Sequence, residues 1–469
     1  MSWAANDQDG MKRPFIFRTA LLLWLGLSLV SPPKPAAAFP LNGQNTVLPP
    51  GSELNEDAID LPREVFHSEA AGGRKSYLIN LGDLAFSSPF ILGGVARQAG
   101  ISCNTCHING AANPKLYVPH LSTHPGTFDT TGALFNPKAD NSVLDAVRVP
   151  SLRGARYLAP YGNNGRTSSL RDFVHDVIVV EFAGPEPSPA VLDAMVAYIQ
   201  DIDLLRNFSL GPGGALTVRS NAAERRGEAL FARPFPDNPA LSCAGCHVPS
   251  AGFLDHATHD VGSGGLFKTP GLLNADFTGV YFHDGRFTNY DQVVAHFDRV
   301  FDLHLSTQDR QDLVAYLTAV GDGERPYERD NAAARFKEIN DFVSVLGTAI
   351  PAHDTEVIAL AADTVDLELR ELIERFPDHR DPSVSGGREQ RMRARAALKD
   401  LVLRLRRIAL AAAAGQFDDA AAEYRNIRNL SVAAVPALLV AAQPFSMFNP
   451  AIHDAHYGAL GHMLSAANE

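Results

Sequence analysis

Apolar residues recur at helical spacing along much of the chain, and one arrangement of helices occurs twice. Residues 81–86 and 226–231 each predict a helix that leads into a short cysteine motif. Further along each half, residues 196–199 and 314–317 predict a second helix, with a tyrosine at the matching place. We expect this second helix to pack on the first, with both tyrosines in the core.

Beyond about Arg325 the pattern changes to long helical segments rich in Ala, Leu, Arg and Glu. Residues 388–414 and 418–428 are the clearest of them, and 381–387 predict a polar loop. Apolar positions spaced among charged ones favour an antiparallel helical bundle. This segment is interpreted either as a docking or dimerisation domain or as a structural cover. The fold class predicted for the whole chain is mainly α, with two similar domains in tandem and a C-terminal helical bundle.

The first residues have the pattern of a secretory signal peptide. Lys12, Arg13 and Arg18 precede an apolar run at 19–30, and three alanines at 36–38 suggest cleavage after residue 38. The run is too short to span a bilayer stably, and no later stretch resembles a transmembrane segment. We therefore expect export to the bacterial periplasm. The chain is divided into a signal peptide (1–38), a first repeated domain with an N-terminal arm (39–210), a second repeated domain (211–325) and a helical domain (326–469).

All four cysteines of the chain fall in two copies of one motif, Cys-x-x-Cys-His. In this motif the two thiols add across the vinyl groups of a haem, and the histidine becomes the proximal ligand of the iron. The sequence therefore predicts two covalently bound c-type haems, and the two tandem domains, 39–210 and 211–325, are interpreted as cytochrome c-like haem domains. The residues that would hold them are Cys103, Cys106 and His107 in the first half, and Cys243, Cys246 and His247 in the second.

Other uses of paired cysteines fit this pattern less well. Zinc knuckles, redox-active dithiols and structural disulfides all employ Cys-x-x-Cys pairs. None of the three explains the histidine that follows each pair. A zinc site would also need four ligands gathered together, whereas these pairs lie far apart in sequence.

The repeat continues after each motif. Thr123-His124 is matched to Thr258-His259, and the spacing from Pro150 to Arg166 equals that from Pro270 to Arg286. A cation precedes each proline, Arg148 in the first half and Lys268 in the second. Recurring cations suit either pairing with haem propionates or fixing a loop at the haem edge. The two prolines are expected to stiffen the chain where it crosses the haem face.

Charge and composition restrict the possible partners of the protein more than they restrict its fold. The chain of 469 residues has a formal net charge of −12, which argues against nucleic acid and favours docking proteins with basic or neutral surfaces. Its two tryptophans, Trp3 and Trp24, both fall in the predicted leader.

Residues 84–89 and 92–97 before the first motif, and 280–286 after the second, resemble the bacterial di-haem cytochrome c peroxidase family, which includes MauG-type enzymes. The resemblance runs from about residue 75 to 325. It implies a first haem that reacts with peroxide and a second haem that passes electrons to it.

The resemblance also implies residues for the peroxide site. His124 stands at about the right distance after His107 to be the removable distal ligand of the first haem, with His120 as its rival. Glu181 lies near the family's glutamate, which serves as the acid/base for O–O cleavage, and Glu186 competes for that role.

The second haem departs from the family pattern, because no methionine lies between His247 and Met392. Its own domain therefore cannot supply the thioether ligand that raises a haem potential. His259 and His296 are equal candidates for the sixth position, and Tyr281, Tyr290 and His283 remain open. Asn163 stands where the family commonly has a tryptophan between its haems, so a path through Tyr157 or Tyr161 would have to replace it.

Together these features predict a periplasmic di-haem oxidoreductase that exchanges electrons with a small redox protein and reduces peroxide or oxidises a partner. Two alternatives stay open. One is a non-catalytic di-haem electron carrier, and the other is a MauG-type enzyme that modifies a protein substrate.

Overall fold

The computed structural model describes residues 47–55, 57–70, 72–73, 75–378, 381 and 384–457. The predicted signal peptide, 1–38, lies outside these ranges. The described chain is mainly helical, which confirms the predicted class at that level. Its helices are α1 His67–Ala70, α2 Tyr77–Phe86, α3 Pro89–Leu92, α4 Gly94–Gln98, α5 Cys103–Cys106, α6 Leu170–Asp176, α7 Pro189–Asp201, α8 Ala222–Ala232, α9 Cys243–Cys246, α10 Tyr290–Val300, α11 Thr307–Gly321, α12 Ala332–Ala349, α13 Thr355–Glu374, α14 Arg388–Ala413, α15 Phe417–Ala433 and α16 Val435–Ala442.

Six short strands form three antiparallel pairs. They are β1 Asp60–Pro62, β2 Thr127–Phe128, β3 Val147–Arg148, β4 Thr258–Asp260, β5 Leu266–Lys268 and β6 Tyr327–Arg329. β2 pairs with β3 in the first half, and β4 pairs with β5 in the second. β1, which precedes the two halves in sequence, pairs with β6, which follows them.

Polar side chains cap the helices that build each half. Ser76 and Ser188 accept hydrogen bonds from backbone N–H groups in the first turns of α2 and α7. Asn221 and Ser306 do the same for α8 and α11, and both take part in a reciprocal capping box. These caps satisfy N–H groups that have no partner within the helix, so each helix begins where its sequence signal predicts.

The two halves share one helix-packing arrangement, in which α2 packs on α7 and α8 packs on α11. A glycine sits at each crossing. A Cβ placed on Gly82 would lie 2.0 Å from the carbonyl oxygen of Ala194, and one on Gly227 would lie 2.0 Å from that of Asp312. Tyr198 and Tyr316 lie beside these crossings and are each 1% exposed, which confirms that both are core residues.

Strand register corrects one part of the predicted repeat. Arg148 pairs with Thr127 across the first sheet, and Lys268 pairs with Thr258 across the second. Since Arg148 and Lys268 occupy equivalent positions, Thr258 corresponds to Thr127. His259 is therefore the structural counterpart of Phe128 and not, as predicted, of His124.

The C-terminal helices join the core of the first half. α12 packs on α2, α13 contacts α2 and α3, and the hydroxyl of Thr364 donates a buried hydrogen bond of 2.8 Å to Ser88. One apolar cluster runs through the first half and these helices, whereas the second half has a separate cluster. This packing agrees with a covering role for the C-terminal helices, and the predicted domain boundaries stay a prediction.

The turn at the predicted boundary between the first and second domains packs against the second half. Pro212–Gly214 form a short 3₁₀ turn inside a hairpin closed by a bridge between Leu210 and Leu216. A Cβ on Gly214 would meet the carbonyl oxygen of Pro249 at 2.5 Å. The hairpin therefore lies directly against the loop that follows the second cysteine motif.

The predicted N-terminal arm carries part of a buried charged network on the first half. Lys75 donates a hydrogen bond of 2.8 Å to Asp83 and lies 3.4 Å from Glu64, and the hydroxyl of Tyr198 donates to Glu64 at 2.6 Å. Burial, followed by repulsion from Asp83, raises the pKa of Glu64 to about 8.

Membrane-spanning potential is limited among the described residues. No single helix there combines the length and apolarity needed to cross a bilayer, although α15 and the segment Val435–Phe445, bent by 43°, meet the criterion as a pair by length and composition.

We expect Gly82→Ala and Gly227→Ala each to destabilise the protein by about 2 kcal/mol or more, because the added methyl group forces apart helices that touch through their backbones. Thermal unfolding followed by circular dichroism measures the loss. Gly211→Ala is the matched control, since its backbone is extended and an added Cβ would meet its neighbours at 3.6 Å. A melting temperature as high in Gly82→Ala as in Gly211→Ala would contradict this packing.

We expect Glu64→Gln to change how stability depends on pH. A carboxyl whose pKa is raised in the folded state contributes stability below its unfolded pKa of about 4.5, and this contribution is lost as pH rises through about 8. Glutamine is uncharged at every pH, so the variant keeps this contribution. Its free energy of unfolding should match that of the wild type near pH 5 and exceed it near pH 9. Urea denaturation at both pH values measures this, with the exposed Glu69→Gln as control. Parallel pH profiles for wild type and Glu64→Gln would show that Glu64 is ionised throughout.

Candidate haem-binding site

The first motif forms the short helix α5, which reciprocal hydrogen bonding between Ser102 and Thr105 holds at its start. His107 follows directly, and its Nδ1 lies 2.9 Å from the carbonyl oxygen of Pro150. Donation from Nδ1 to a carbonyl fixes the ring and leaves Nε2 free to bind a metal. Burial lowers the pKa of His107 to about 4, so the ring is neutral, as a metal ligand must be.

The second motif, helix α9, repeats this arrangement. Nδ1 of His247 lies 3.2 Å from the carbonyl oxygen of Phe253. Burial lowers the pKa of His247 to about 4, partly offset by hydrogen bonding to the backbone of Phe253 and of Pro270. The carbonyls of Pro150 and Pro270 thus face the two histidines, a contact that the predicted stiffening role of these prolines did not include.

Aromatic contacts around the two histidines also match. The rings of Phe86 and His107 are 6.5 Å apart, and those of Phe231 and His247 are 6.3 Å apart. Each phenylalanine packs on the core tyrosine of its half at 5.1 Å. The two motifs are therefore set in equivalent surroundings.

The cysteines lack the properties of the rival sites. All four are free thiols, which excludes a disulfide within either pair. Burial raises the pKa of Cys103 and Cys106 to about 12 and of Cys243 to about 11, and it also raises that of Cys246. Reactive dithiols need lowered pKa values, so a thiol redox centre does not fit.

Among the described residues, one group of metal-ligand side chains comes together outside a single motif: Cys246, Asp255 and His259, whose ligand atoms lie within 4.8 Å of one another. Nε2 of His259 lies 2.6 Å from Asp255. This group contains one cysteine, so the described chain does not form the four-cysteine site of a zinc knuckle.

A reciprocal pair of backbone hydrogen bonds joins the two halves beside the motifs. The N–H of Arg148 donates to the carbonyl of His283, and the N–H of Lys268 donates to that of Asn163, both at 2.8 Å. The donors occupy equivalent positions, as do the acceptors, so the halves meet with approximate twofold symmetry. Asn163, at the place of the family's tryptophan, thus contributes a backbone acceptor to this junction.

Two cations lie at this junction. Nζ of Lys268 donates to the carbonyls of Leu158 and Pro160 at 2.5 and 2.7 Å. Burial, followed by repulsion from Arg148, lowers the pKa of Lys268 to about 8. Nε of Arg148 is buried, with no hydrogen-bond partner in the described part of the chain. A buried cation with an unpaired nitrogen fits a bound group that carries carboxylates, such as the propionates of haem.

The other two recurring arginines are already paired within their own halves. Arg166 lies 2.5 Å from Glu181, and Arg286 lies 2.6 Å from Asp284. Arg148 and Lys268 are therefore the better candidates for propionate binding.

The predicted sixth ligands differ in how their ring nitrogens are used. His296 is 3% exposed, and its Nε2 lies 2.7 Å from the carbonyl of Val261. His259 contacts Asp255 through Nε2 as described. Either residue would have to break its contact before this nitrogen could bind iron.

His124 differs from these two. Its Nδ1 lies 3.2 Å from the carbonyl of Pro125, and no described residue hydrogen-bonds its Nε2. The ring lies at the junction of the halves, where its Cε1 would be 2.8 Å from a Cβ placed on Gly285. Of the three predicted ligands, His124 is the one whose Nε2 lacks a protein partner in the described structure. The rival His120 has a left-handed backbone, with φ of 71°.

Sequence reasoning gave His283 little weight, yet it occupies the same junction. Its ring stacks on Phe267 at 3.6 Å, and its Nδ1 is buried without a hydrogen-bond partner among the described residues. Its place next to the repeated Gly-Arg pair was the available signal.

The predicted acid/base residue lies in an unusual turn. Glu181 ends a π-helical segment, Val177–Glu181, that continues α6, and π turns often occur at functional sites. The side chain of Glu181 is mostly buried and paired with Arg166. Glu186 is more exposed, and both of its carboxylate oxygens lie 3.1 Å from His175.

A family model described as di-haem cytochrome c peroxidase matches residues 222–361. This part of the chain is similar to that family. The match begins at α8, includes the second motif and extends past residue 325 into α13, farther than the resemblance read from the sequence.

Two known proteins are also similar to this chain in sequence. Hydrazine synthase subunit gamma from Kuenenia stuttgartiensis is 24% identical over 307 residues, covering 52% of this chain and 78% of the relative. Cytochrome-c peroxidase IdrP1 from Pseudomonas sp. strain SCT is 35% identical over 71 residues, which is 13% of this chain and 19% of that protein.

A solved structure of hydrazine synthase from Kuenenia stuttgartiensis, pressurised with xenon, also aligns with this chain. It has a TM-score of 0.39 and 22% sequence identity, and the alignment covers 66% of this chain and all of the other.

We expect haem content to follow the cysteine pairs separately. Cys103→Ala/Cys106→Ala and Cys243→Ala/Cys246→Ala should each carry one covalent haem where the wild type carries two, because each loop holds its haem with its own thiols. Pyridine haemochrome spectra and intact mass spectrometry count the haems. A single covalent haem in the wild-type protein would show that one of the two cysteine motifs does not bind haem.

Proposed function

We propose that the chain is a periplasmic di-haem c-type oxidoreductase that takes electrons at its second half and reduces peroxide at its first. The observation that carries this proposal is the pair of equivalent histidine loops, joined by reciprocal backbone hydrogen bonds. The tandem haem domains, the two covalent haems, the C-terminal bundle and the predicted leader belong to this proposal, as does the small redox protein as partner.

The protein's own groups have distinct tasks in this proposal. Haem, when bound, would supply a redox-active iron in each half. His107 and His247 would hold it through Nε2, with both rings kept neutral by burial and fixed in orientation by donation from Nδ1 to backbone carbonyls. Arg148 and Lys268 compensate the negative charge of haem propionates at the junction. The backbone contacts across this junction limit reorganisation between the two haem sites.

Proton handling is assigned to Glu181. Arg166 binds its Oε1 and so holds the carboxylate near the place where the family carries its glutamate. The second oxygen, Oε2, can then accept a proton from peroxide and return it to the departing oxygen. His124 serves as the ligand that leaves during activation, because its Nε2 is not engaged by the described protein.

The similarity to hydrazine synthase subunit gamma favours a second candidate, a haem-bearing subunit of a larger enzyme. The chain aligns with 78% of that subunit. Stable co-purification of further subunits from the native host at fixed stoichiometry would support this candidate over a self-contained peroxidase.

We expect Glu181→Gln to lower peroxide turnover by about 100-fold, because the amide cannot carry the proton, while haem content stays unchanged. Turnover is measured with a small-molecule electron donor so that protein docking does not limit it. Glu186→Gln is the matched control and should keep near wild-type turnover. Equal turnover in Glu181→Gln and wild type would remove Glu181 from the mechanism. Wild-type protein with two haems that peroxide leaves spectroscopically unchanged would instead support the non-catalytic carrier.

A further inference from the structure

The same helix surface is covered in one half and open in the other. In α2, every residue from Leu81 to Phe86 is buried, because the C-terminal helices lie on it. In α8, the equivalent helix, Gly227 and Phe231 are buried. Alignment of the helix glycines places Arg226 opposite Leu81 and Ala229 opposite Leu84, and both second-half residues are exposed. The second half thus keeps a solvent-facing surface beside its cysteine motif.

Four exposed arginines lie on and next to this open surface: Arg206, Arg219, Arg225 and Arg233. We call these residues, together with Phe208 and Val218, the arginine face. None of the four forms a salt bridge within the described residues. Their charges therefore remain available to a partner, although the chain as a whole carries −12.

Contacts join three of the four arginines to the apolar residues of the arginine face. The guanidinium groups of Arg206 and Arg219 lie 4.7 and 5.2 Å from the ring of Phe208, which is 41% exposed. Arg225 donates a hydrogen bond of 2.7 Å to the carbonyl of Thr217, the residue before Val218, and Val218 is 97% exposed. An exposed apolar centre bordered by cations is typical of a protein docking surface.

Asp309, which accepts a hydrogen bond from Ser306, lies close enough to Arg233 to interact with its charge, whereas the other neighbouring carboxylates are engaged elsewhere. Glu224 bonds to Asn221 at the start of α8, Glu228 accepts from the backbone of Leu216, and Asp312 binds Arg226 in a bidentate pair. Each is held by a local contact, so the outward charge of this surface comes from the four arginines.

The arginine face adjoins the second cysteine motif from two sides. Arg233 directly follows α8, and α8 contacts α9, the helix of the second motif. The hairpin that carries Arg219 and Val218 packs on Pro249 through Gly214. A protein docked here would reach the loop that holds the second haem.

We propose that the arginine face is the docking surface for a small electron-transfer protein with an acidic surface around its redox centre. This inference rests on the proposed function and deepens it, because it assigns the chemistry of the electron donor. It also reverses the expectation from net charge, which favoured a basic or neutral partner. Local charge guides the final approach of two proteins, because salt screens charges farther away than the Debye length.

The test compares two double variants of the full-length holoprotein that carry the same change in net charge. Arg219→Gln/Arg233→Gln alters the arginine face, and Arg388→Gln/Arg425→Gln removes two exposed arginines from the C-terminal helices. The probe is an acidic plant-type ferredoxin. Its affinity is measured by calorimetry and its electron-transfer rate by stopped flow, at about 0.01 and 0.15 M ionic strength, where the Debye lengths are about 30 and 8 Å.

We expect the first double variant to bind ferredoxin about tenfold more weakly than wild type at low ionic strength, with the difference shrinking at high ionic strength. The second should stay within about twofold of wild type. Equal losses in both doubles, or no loss in either, would overturn the proposal, as would tighter binding of a basic cytochrome c than of ferredoxin to the arginine face.

The readouts separate this proposal from the proposed function. Calorimetry needs no turnover, and pyridine haemochrome spectra verify that both doubles carry the wild-type haem content. Ferredoxin binding that depends on the arginine face, in a protein inactive with peroxide, would contradict the peroxidase function and leave the docking surface standing. Peroxide turnover with a small-molecule donor, without ferredoxin binding at the arginine face, would support the peroxidase function and contradict the docking surface.

Discussion

The arrangement of both histidine loops depends on one reciprocal exchange of backbone hydrogen bonds between the two halves. β3 and β5 each donate one N–H across the junction, from Arg148 and Lys268. Two residues further along the same segments, the carbonyls of Pro150 and Pro270 face the histidines of the cysteine motifs. The contact between the halves and the orientation of both rings are thus set by the same two short segments. A shift at the junction would move the rings of both His107 and His247.

The sequence predicted the repeat well where local chemistry and spacing reveal it. The Cys-x-x-Cys-His loops, the matched spacing after Pro150 and Pro270 and the two core tyrosines all have local signals, and the structure places them equivalently. The pairing of His259 with His124 was wrong, because the loop between motif and strand is shorter in the second half and a shared Thr-His pair suggested a false register. The carbonyl contacts to the histidines could not be predicted, since every residue has a backbone carbonyl and only the fold selects one.

The C-terminal helices show a second limit of sequence reasoning. Leu81 and Leu84 mark a helix surface that must be covered, and Arg226 and Ala229 mark one that need not be. The apolar periodicity predicts that another segment covers this face of α2. It does not identify that segment, because any apolar surface could bury the face. The fold identifies α12 and α13 as that cover, and it gives the first half a core shared with residues more than 250 positions away along the chain, as the contact between Ser88 and Thr364 shows.

The pairing of β1 with β6 closes the chain on itself around both halves. Residues on either side of the repeat, Leu61 and Glu328, stand opposite each other in this two-stranded clasp. Hinge motions are absorbed by a few loop or element-terminal residues, and here the segments that enter and leave the two halves are held together by backbone pairing. Wide opening of the halves would have to break this pairing first. A displacement of His124 is therefore expected to come from movement of its own loop and not from separation of the halves.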